Sequence, residues 1–181
     1  MDKNWLDNKT VIVTGASSGM GKGITEKLIK EHGCKVLGVA RSEKKMEALV
    51  AELGEYASQF SYQLFDVSVR ENWENYVAYL NENGIKPDVL INNAGILPKF
   101  DRFEHYSVED IEKAMNINFY SAVYSMHALL PLLLESSSPA IINIDSSAAL
   151  MSLAGTSVYS ASKAALKALT ESMREEMRGR C

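Results

Sequence analysis

Short apolar, largely β-branched runs alternate along the chain with longer stretches in which apolar residues recur every three or four positions. Thr10–Thr14 reads Thr-Val-Ile-Val-Thr with no polar alternation, the pattern of a parallel strand covered on both faces. Four more strand-like runs follow at Lys35–Ala40, 60–65, 88–91 and 140–144. Between them the spacing predicts helices over 21–32, Glu43–Leu53, 70–83 and 107–134, with a last one over 159–178. In the first of these, Ile24, Leu28 and Ile29 share one face. Strand and helix alternating in this way imply right-handed crossovers and an α/β fold, a doubly wound parallel sheet with helices on both sides. Ligands of such sheets sit beyond the carboxyl ends of the strands, so the turns there are where chemistry is expected.

Composition changes this picture little. The 181 residues suit one domain, 1–181, with no linker or internal repeat; 46% are hydrophobic and 23% charged, as in ordinary globular proteins. A net charge of -4 without a block of Lys or Arg recommends neither nucleic acid nor an anionic membrane as partner. The first seven residues lack the apolar centre of a signal peptide, and the apolar cluster at 129–134 falls far short of a bilayer span. A cytoplasmic location is the expectation. Cys34 and Cys181 give neither a disulfide framework nor metal-ligand spacing, so no metal site is expected.

The turns carry the candidate chemistry. After the first strand comes Thr14-Gly15-Ala16-Ser17-Ser18-Gly19-Met20-Gly21. Three glycines there let backbone approach a pyrophosphate closely, and the helix that follows offers free amides and the positive end of its dipole. A plain Gly-rich turn is the alternative, but the position between strand and helix favours an anion cradle formed by Gly15, Ser17, Ser18, Gly19, Met20 and Gly21. Strand two ends in Ala40-Arg41-Ser42, with Lys44 and Lys45 beyond. An acidic residue there would bind the ribose diol of NAD, whereas Arg41 suits the extra phosphate of NADP, so NADP is favoured and NAD remains possible. Strand three runs into Asp66-Val67, where the carboxylate either accepts from an adenine amino group or caps the next helix. Strand four runs into Asn92-Asn93-Ala94-Gly95, small residues that admit a nucleotide and asparagines that can bridge adjacent loops.

Strand five leads into Asp145-Ser146, and 13 residues later stands Tyr159-Ser160-Ala161-Ser162-Lys163. Four residues apart on a helix, a phenol and an ammonium rise on one face, and a nearby cation favours a phenolate. A serine hydroxyl donating to a substrate oxygen while a tyrosine delivers a proton is an arrangement suited to reducing a carbonyl.

Taken together, Thr14-Gly15-x-x-x-Gly19-x-Gly21, Asp66, Asn92-Asn93-Ala94-Gly95, Asn118, Ser146 and Tyr159-x-x-x-Lys163 resemble the short-chain dehydrogenase/reductase family in order and place, over essentially the whole chain. The resemblance implies a Rossmann-type sheet of strand order 3-2-1-4-5 and hydride transfer between a nicotinamide dinucleotide and a small-molecule carbonyl or alcohol. It implies that Tyr159 is the general acid or base, that Lys163 assists it and holds the nicotinamide ribose, and that Ser146 orients the substrate oxygen. Asn118 takes the place of the asparagine that holds a relay water beside the lysine. Asn93, Ala94, Gly95, Asp66 and Val67 fall on the cofactor. Assembly as a homodimer or homotetramer through the helix over 107–134 and the helix carrying Tyr159 is implied as well. Two departures stand out. Asp145 replaces a small residue, and the sixth strand and substrate loop that usually follow are absent before Cys181. The expected fold therefore lacks the family's C-terminal strands, as if truncated. The alternative to an active reductase is a dinucleotide-binding protein with little or no catalytic activity.

Overall fold

A computed structural model describes residues 4–180. Five strands, β1 (Thr10–Thr14), β2 (Lys35–Ala40), β3 (Phe60–Leu64), β4 (Val89–Asn92) and β5 (Ala140–Asn143), form one parallel sheet in the order β3-β2-β1-β4-β5. Among the described residues the α-helices are α1 (Gly19–His32), α2 (Glu43–Leu53), α3 (Arg70–Glu82), α4 (Val108–Met115), α5 (Ser121–Leu133) and α6 (Ser157–Glu176).

β1 explains why the sheet is covered on both sides. Val11, Ile12 and Val13 are each fully buried, and successive side chains of a strand point to opposite faces. Val11 and Val13 join the core made with Leu28 and Ile29 of α1 and Met46 and Leu49 of α2. Ile12 joins Trp73 and Leu80 of α3, Leu129 and Leu133 of α5 and Leu166 of α6 on the other side. A fully buried Leu or Ile contributes about 1.5–3 kcal/mol, so these two layers dominate the stability of the fold. Strand order turns back between β1 and β4, which opens the crevice characteristic of such sheets above their carboxyl ends.

The region 107–134 is not one regular helix. Ser107 caps α4 in a reciprocal capping box with Asp110. A π turn over Asn116–Tyr120 then separates α4 from α5 without breaking the rod. Apolar spacing does not reveal such a turn, because one inserted residue only shifts the phase of the stripe. The turn places Ile117 and Asn118 side by side in the interior. Short 3₁₀ turns at Gly54–Gln59, Phe103–His105 and Ser147–Ala149 are further elements the spacing does not announce. The last helix begins at Ser157, so Tyr159 lies in its first turn. Among the described residues no helix is long and apolar enough to cross a membrane, and no cluster of ligating side chains suits a metal ion.

Candidate active site

The turn from β1 into α1 is held by its own backbone and by the loop after β4. Gly15 N–H donates to Val39 O at 2.8 Å, which ties the turn to β2. Asn93 Nδ2 donates to Thr14 O at 2.9 Å, and the N–H groups of Asn93 and Ala94 both donate to Thr14 Oγ1 at 3.0 Å. The asparagine thus bridges two loops, as its position suggests. A Cβ placed on Gly21 would lie 2.2 Å from Gly15 O and 2.5 Å from Asn93 Nδ2. Gly21 therefore lets the helix close onto the turn, and it stands behind the cradle rather than on its wall. Gly15 and Gly19 adopt φ of 66° and 53°, the left-handed region that favours glycine.

Above this turn lies a groove of about 750 Å³. Gly15, Ser17, Ser18, Gly19, Met20, Arg41, Asp66, Val67, Asn93, Ala94 and Gly95 all line it. The first turn of α1 carries no acidic residue and Ser18, its N-cap, makes no side-chain capping bond, so the helix end faces the groove with its amides uncommitted to a cap. That end, the close backbone of the glycine turn and the volume of the groove fit a dinucleotide. Val39, Ala40, Ser42, Lys45, Phe65, Ile96 and Ile117 complete the wall. Sequence reasoning singled out neither Phe65 nor the two isoleucines, because an apolar residue that lines a groove has the same pattern as one in the core. Lys45 reaches the groove while Lys44 does not line it.

At the β2 end, Arg41 Nη1 lies 3.5 Å from Asp66 Oδ2, both groups being exposed. Asp66 does not cap α3, whose N-cap is Val69. Its Oδ1 accepts from Ser68 N–H at 2.9 Å and from Ser68 Oγ at 2.6 Å. Partial burial works to raise its pKa, but the Ser68 bonds and the Arg41 charge outweigh that and hold the carboxyl below its ordinary value. The loop carrying Asp66 is fixed from beneath: Trp73 Nε1 donates to Val67 O at 2.9 Å, and the Trp73 ring meets Phe65 edge-on, centroids 5.1 Å apart.

Two further candidates, Asn118 and Lys163, stand behind the groove wall at Gly95. A Cβ on Gly95 would lie 3.4 Å from Asn118 Oδ1 and 3.7 Å from Lys163 Nζ. Asn118 is 1% exposed and its side chain is fully engaged. Oδ1 accepts from Ile96 N–H at 2.7 Å, and Nδ2 donates to Ile96 O at 2.9 Å and Ser162 Oγ at 3.0 Å. The π turn thus delivers an amide that staples the β4 loop to α6. Lys163 is 4% exposed, and its Nζ donates to Ile144 O at 2.7 Å. Burial pushes this ammonium below the ordinary lysine value, and the charge of Asp145 opposes that shift. Tyr159 stands one turn earlier on α6, half-buried, its carbonyl accepting from Ser162 Oγ at 2.7 Å. Ser146 is also half-buried; its Oγ accepts from Ala148 N–H at 3.2 Å and so caps the 3₁₀ turn Ser147–Ala149, which packs on α6. A polar ladder, buried at Ser125 and Asn92 and half-buried at Asn143 and Thr170, runs from α5 through β4 and β5 to α6. Ser125 Oγ donates to Asn92 Oδ1 at 2.7 Å, Asn92 Nδ2 to Asn143 Oδ1 at 2.9 Å, and Asn143 Nδ2 to Thr170 Oγ1 at 2.8 Å.

A family model described as short chain dehydrogenase matches residues 9–180. The chain belongs to the short-chain dehydrogenase family. It is 34% identical over 171 residues to the NADP-dependent 3-hydroxy acid dehydrogenase of Escherichia coli K12, covering 93% of this chain and 66% of that one. It is 32% identical over 171 residues to the serine 3-dehydrogenase of Rhizobium radiobacter, covering 94% of this chain and 67% of that protein. Among solved structures it superposes on a short chain dehydrogenase of Shigella flexneri complexed with NADP, with a TM-score of 0.91, 25% identity, and coverage of 99% of this chain and 76% of the other. The chain thus spans about two thirds of the length of the curated relatives it matches.

Proposed function

We propose that this short-chain dehydrogenase chain takes part in hydride transfer between NADP(H) and a small carbonyl or alcohol substrate, with Tyr159 as the general acid or base. The observation that carries the reading is that one groove joins the glycine cradle and Arg41 to Gly95, directly in front of the buried Lys163. Gly15, Ser17, Ser18, Gly19 and Met20 hold the pyrophosphate, Arg41 pairs with the additional phosphate of NADP, and Asp66, Val67, Asn93, Ala94 and Gly95 line the remainder. The bound nucleotide supplies the hydride. Lys163 holds a positive charge one turn beyond the Tyr159 phenol and eases its loss of a proton. Ser146 orients the substrate oxygen, and Asn118 positions the loop of Ile96 against α6. The proposal includes a cytoplasmic location and pairing of copies through α4, α5 and α6. Relatives named as NADP-dependent and a neighbour solved with NADP support the nucleotide choice. NADPH consumption over a panel of aldehydes and ketones tests it: wild-type chain turns over at least one, and Tyr159→Phe does not. Equal turnover by that variant rejects Tyr159 as proton donor.

A second reading is dinucleotide binding with little chemistry. It draws support from β5, whose four residues are all only half-buried beside an open groove of about 380 Å³. Enhancement of NADPH fluorescence without consumption of any substrate is its signature.

A further inference from the structure

Eleven large apolar side chains are exposed among the described residues, and six of them fall in two loops beside the candidate catalytic residues. Leu97, Phe100 and Phe103 belong to the loop after β4; Leu150, Met151 and Leu153 belong to the loop after β5; their exposures run from 52% to 73%. The two loops are tied together. Asp101 N–H donates to Gly155 O at 3.1 Å, and the Tyr106 hydroxyl bridges Lys99 O at 2.6 Å and Gly155 O at 3.2 Å. The Phe100 ring packs where Gly155 lacks a side chain, since a Cβ there would come within 2.9 Å of it. One loop leaves Ile96 on the cofactor groove, and the other runs from Ser146 to the helix turn bearing Tyr159. An apolar concentration of this kind beside a reaction centre marks a recognition surface.

Charge narrows what that surface takes. Residues 144–156 contain a single charged group, Asp145, and it is negative. In the other loop Lys99 lies 3.1 Å from Asp110 and 4.9 Å from the Tyr106 ring centroid, and Arg102 lies 3.7 Å from Glu104. His105 is paired with Asp101 at 2.9 Å. A substrate carboxylate would meet the Asp145 carboxylate, whose charge already acts on the buried Lys163, and loop cations matched to carboxylates of their own. We propose that the substrate carries its carbonyl on a neutral molecule with an apolar aryl or alkyl group, which lies across Leu97, Phe100, Leu150 and Met151. This rests on the carbonyl-reducing reading above, and it separates the chain from relatives named for hydroxy acids and serine.

Two methyl ketones, 4-phenyl-2-butanone and acetoacetate, differ in the feature at issue. Their binding to the NADPH-loaded chain is measured by ligand-observed NMR, alongside NADPH consumption. The phenyl ketone binds at least about tenfold more tightly, and Leu150→Asn with Met151→Gln weakens it by about tenfold while NADPH affinity and melting temperature stay unchanged. Acetoacetate binding as well or better, neither ketone binding, or a double variant with undiminished ketone affinity each overturns the proposal. Ketone binding that the double variant weakens, without NADPH consumption, upholds the apolar surface and removes the hydride-transfer reading instead.

Discussion

Lys163 reaches across from α6 to the carbonyl of Ile144, two residues before the candidate serine, its Nζ 2.7 Å from Ile144 O. One side chain therefore fixes the end of the fifth strand relative to the helix that bears Tyr159. It does so with an ammonium taken almost completely out of water, which weakens its hold on the proton.

The sign of that shift sets a pH dependence. Because the folded state binds the Lys163 proton less tightly than the unfolded state does, the unfolded chain carries more protons between the lowered pKa and about 10.5, and stability rises with pH in that window. Lys163→Met removes the dependence. Melting curves at stepped pH values up to about 10.5 then show the wild type gaining relative to the variant. Asp145→Asn lowers the lysine further and widens the window toward lower pH.

Tyr159→Phe keeps the ring and its packing and removes only the hydroxyl. Turnover falls by about 10²–10⁴-fold, while NADPH affinity, read by fluorescence titration, changes little.

Two glycines of the same turn separate crowding from backbone strain. Gly21→Ala drives a methyl into Gly15 O and Asn93 Nδ2, which costs about 1–3 kcal/mol and loosens the cradle, so both stability and NADPH affinity fall. Gly19→Ala meets nothing within 4 Å, and its penalty comes from the positive φ alone, about 1–2 kcal/mol. Urea denaturation with and without NADPH distinguishes the two.

Arg41→Ala raises the NADPH dissociation constant about tenfold or more and leaves that of NADH nearly constant, measured by titration of each nucleotide. Stability barely moves, since an exposed pair such as Arg41–Asp66 contributes at most about 1 kcal/mol. Asp66, held below its ordinary value, contributes stability that is present above the unfolded carboxylate pKa of about 3.9 and is lost as pH falls through the folded value. In Asp66→Asn that acid-dependent part is absent.

Asn118→Leu removes three hydrogen bonds at once and leaves the Ile96 amide and carbonyl without partners. A loss of about 2–4 kcal/mol in urea denaturation follows, together with weaker NADPH binding.

The sheet was legible because buried parallel strands carry continuous β-branched runs, and Thr10–Thr14 and Lys35–Ala40 fall where the pattern puts them. The glycine turn was legible because a left-handed backbone and close helix contact leave only glycine at Gly15 and Gly21. The π turn at Asn116–Tyr120 was not, since hydrophobic spacing reports which face is buried and not how the backbone hydrogen bonds are registered. Ile96 and Ile117 were hidden for a related reason: whether an isoleucine borders a groove or a core depends on loops meeting from distant parts of the chain. Asn118 could be placed by resemblance, but its grip on Ile96 and Ser162 depends on a contact 44 residues apart in the chain.

That grip joins the groove wall to α6 through a single side chain. Ile96 borders the groove, Ser162 lies between Tyr159 and Lys163 on α6, and one amide clamps both. The Ile96 loop and the first turns of α6 are thus tied to the same short π turn, and a change at Asn118 releases both at once.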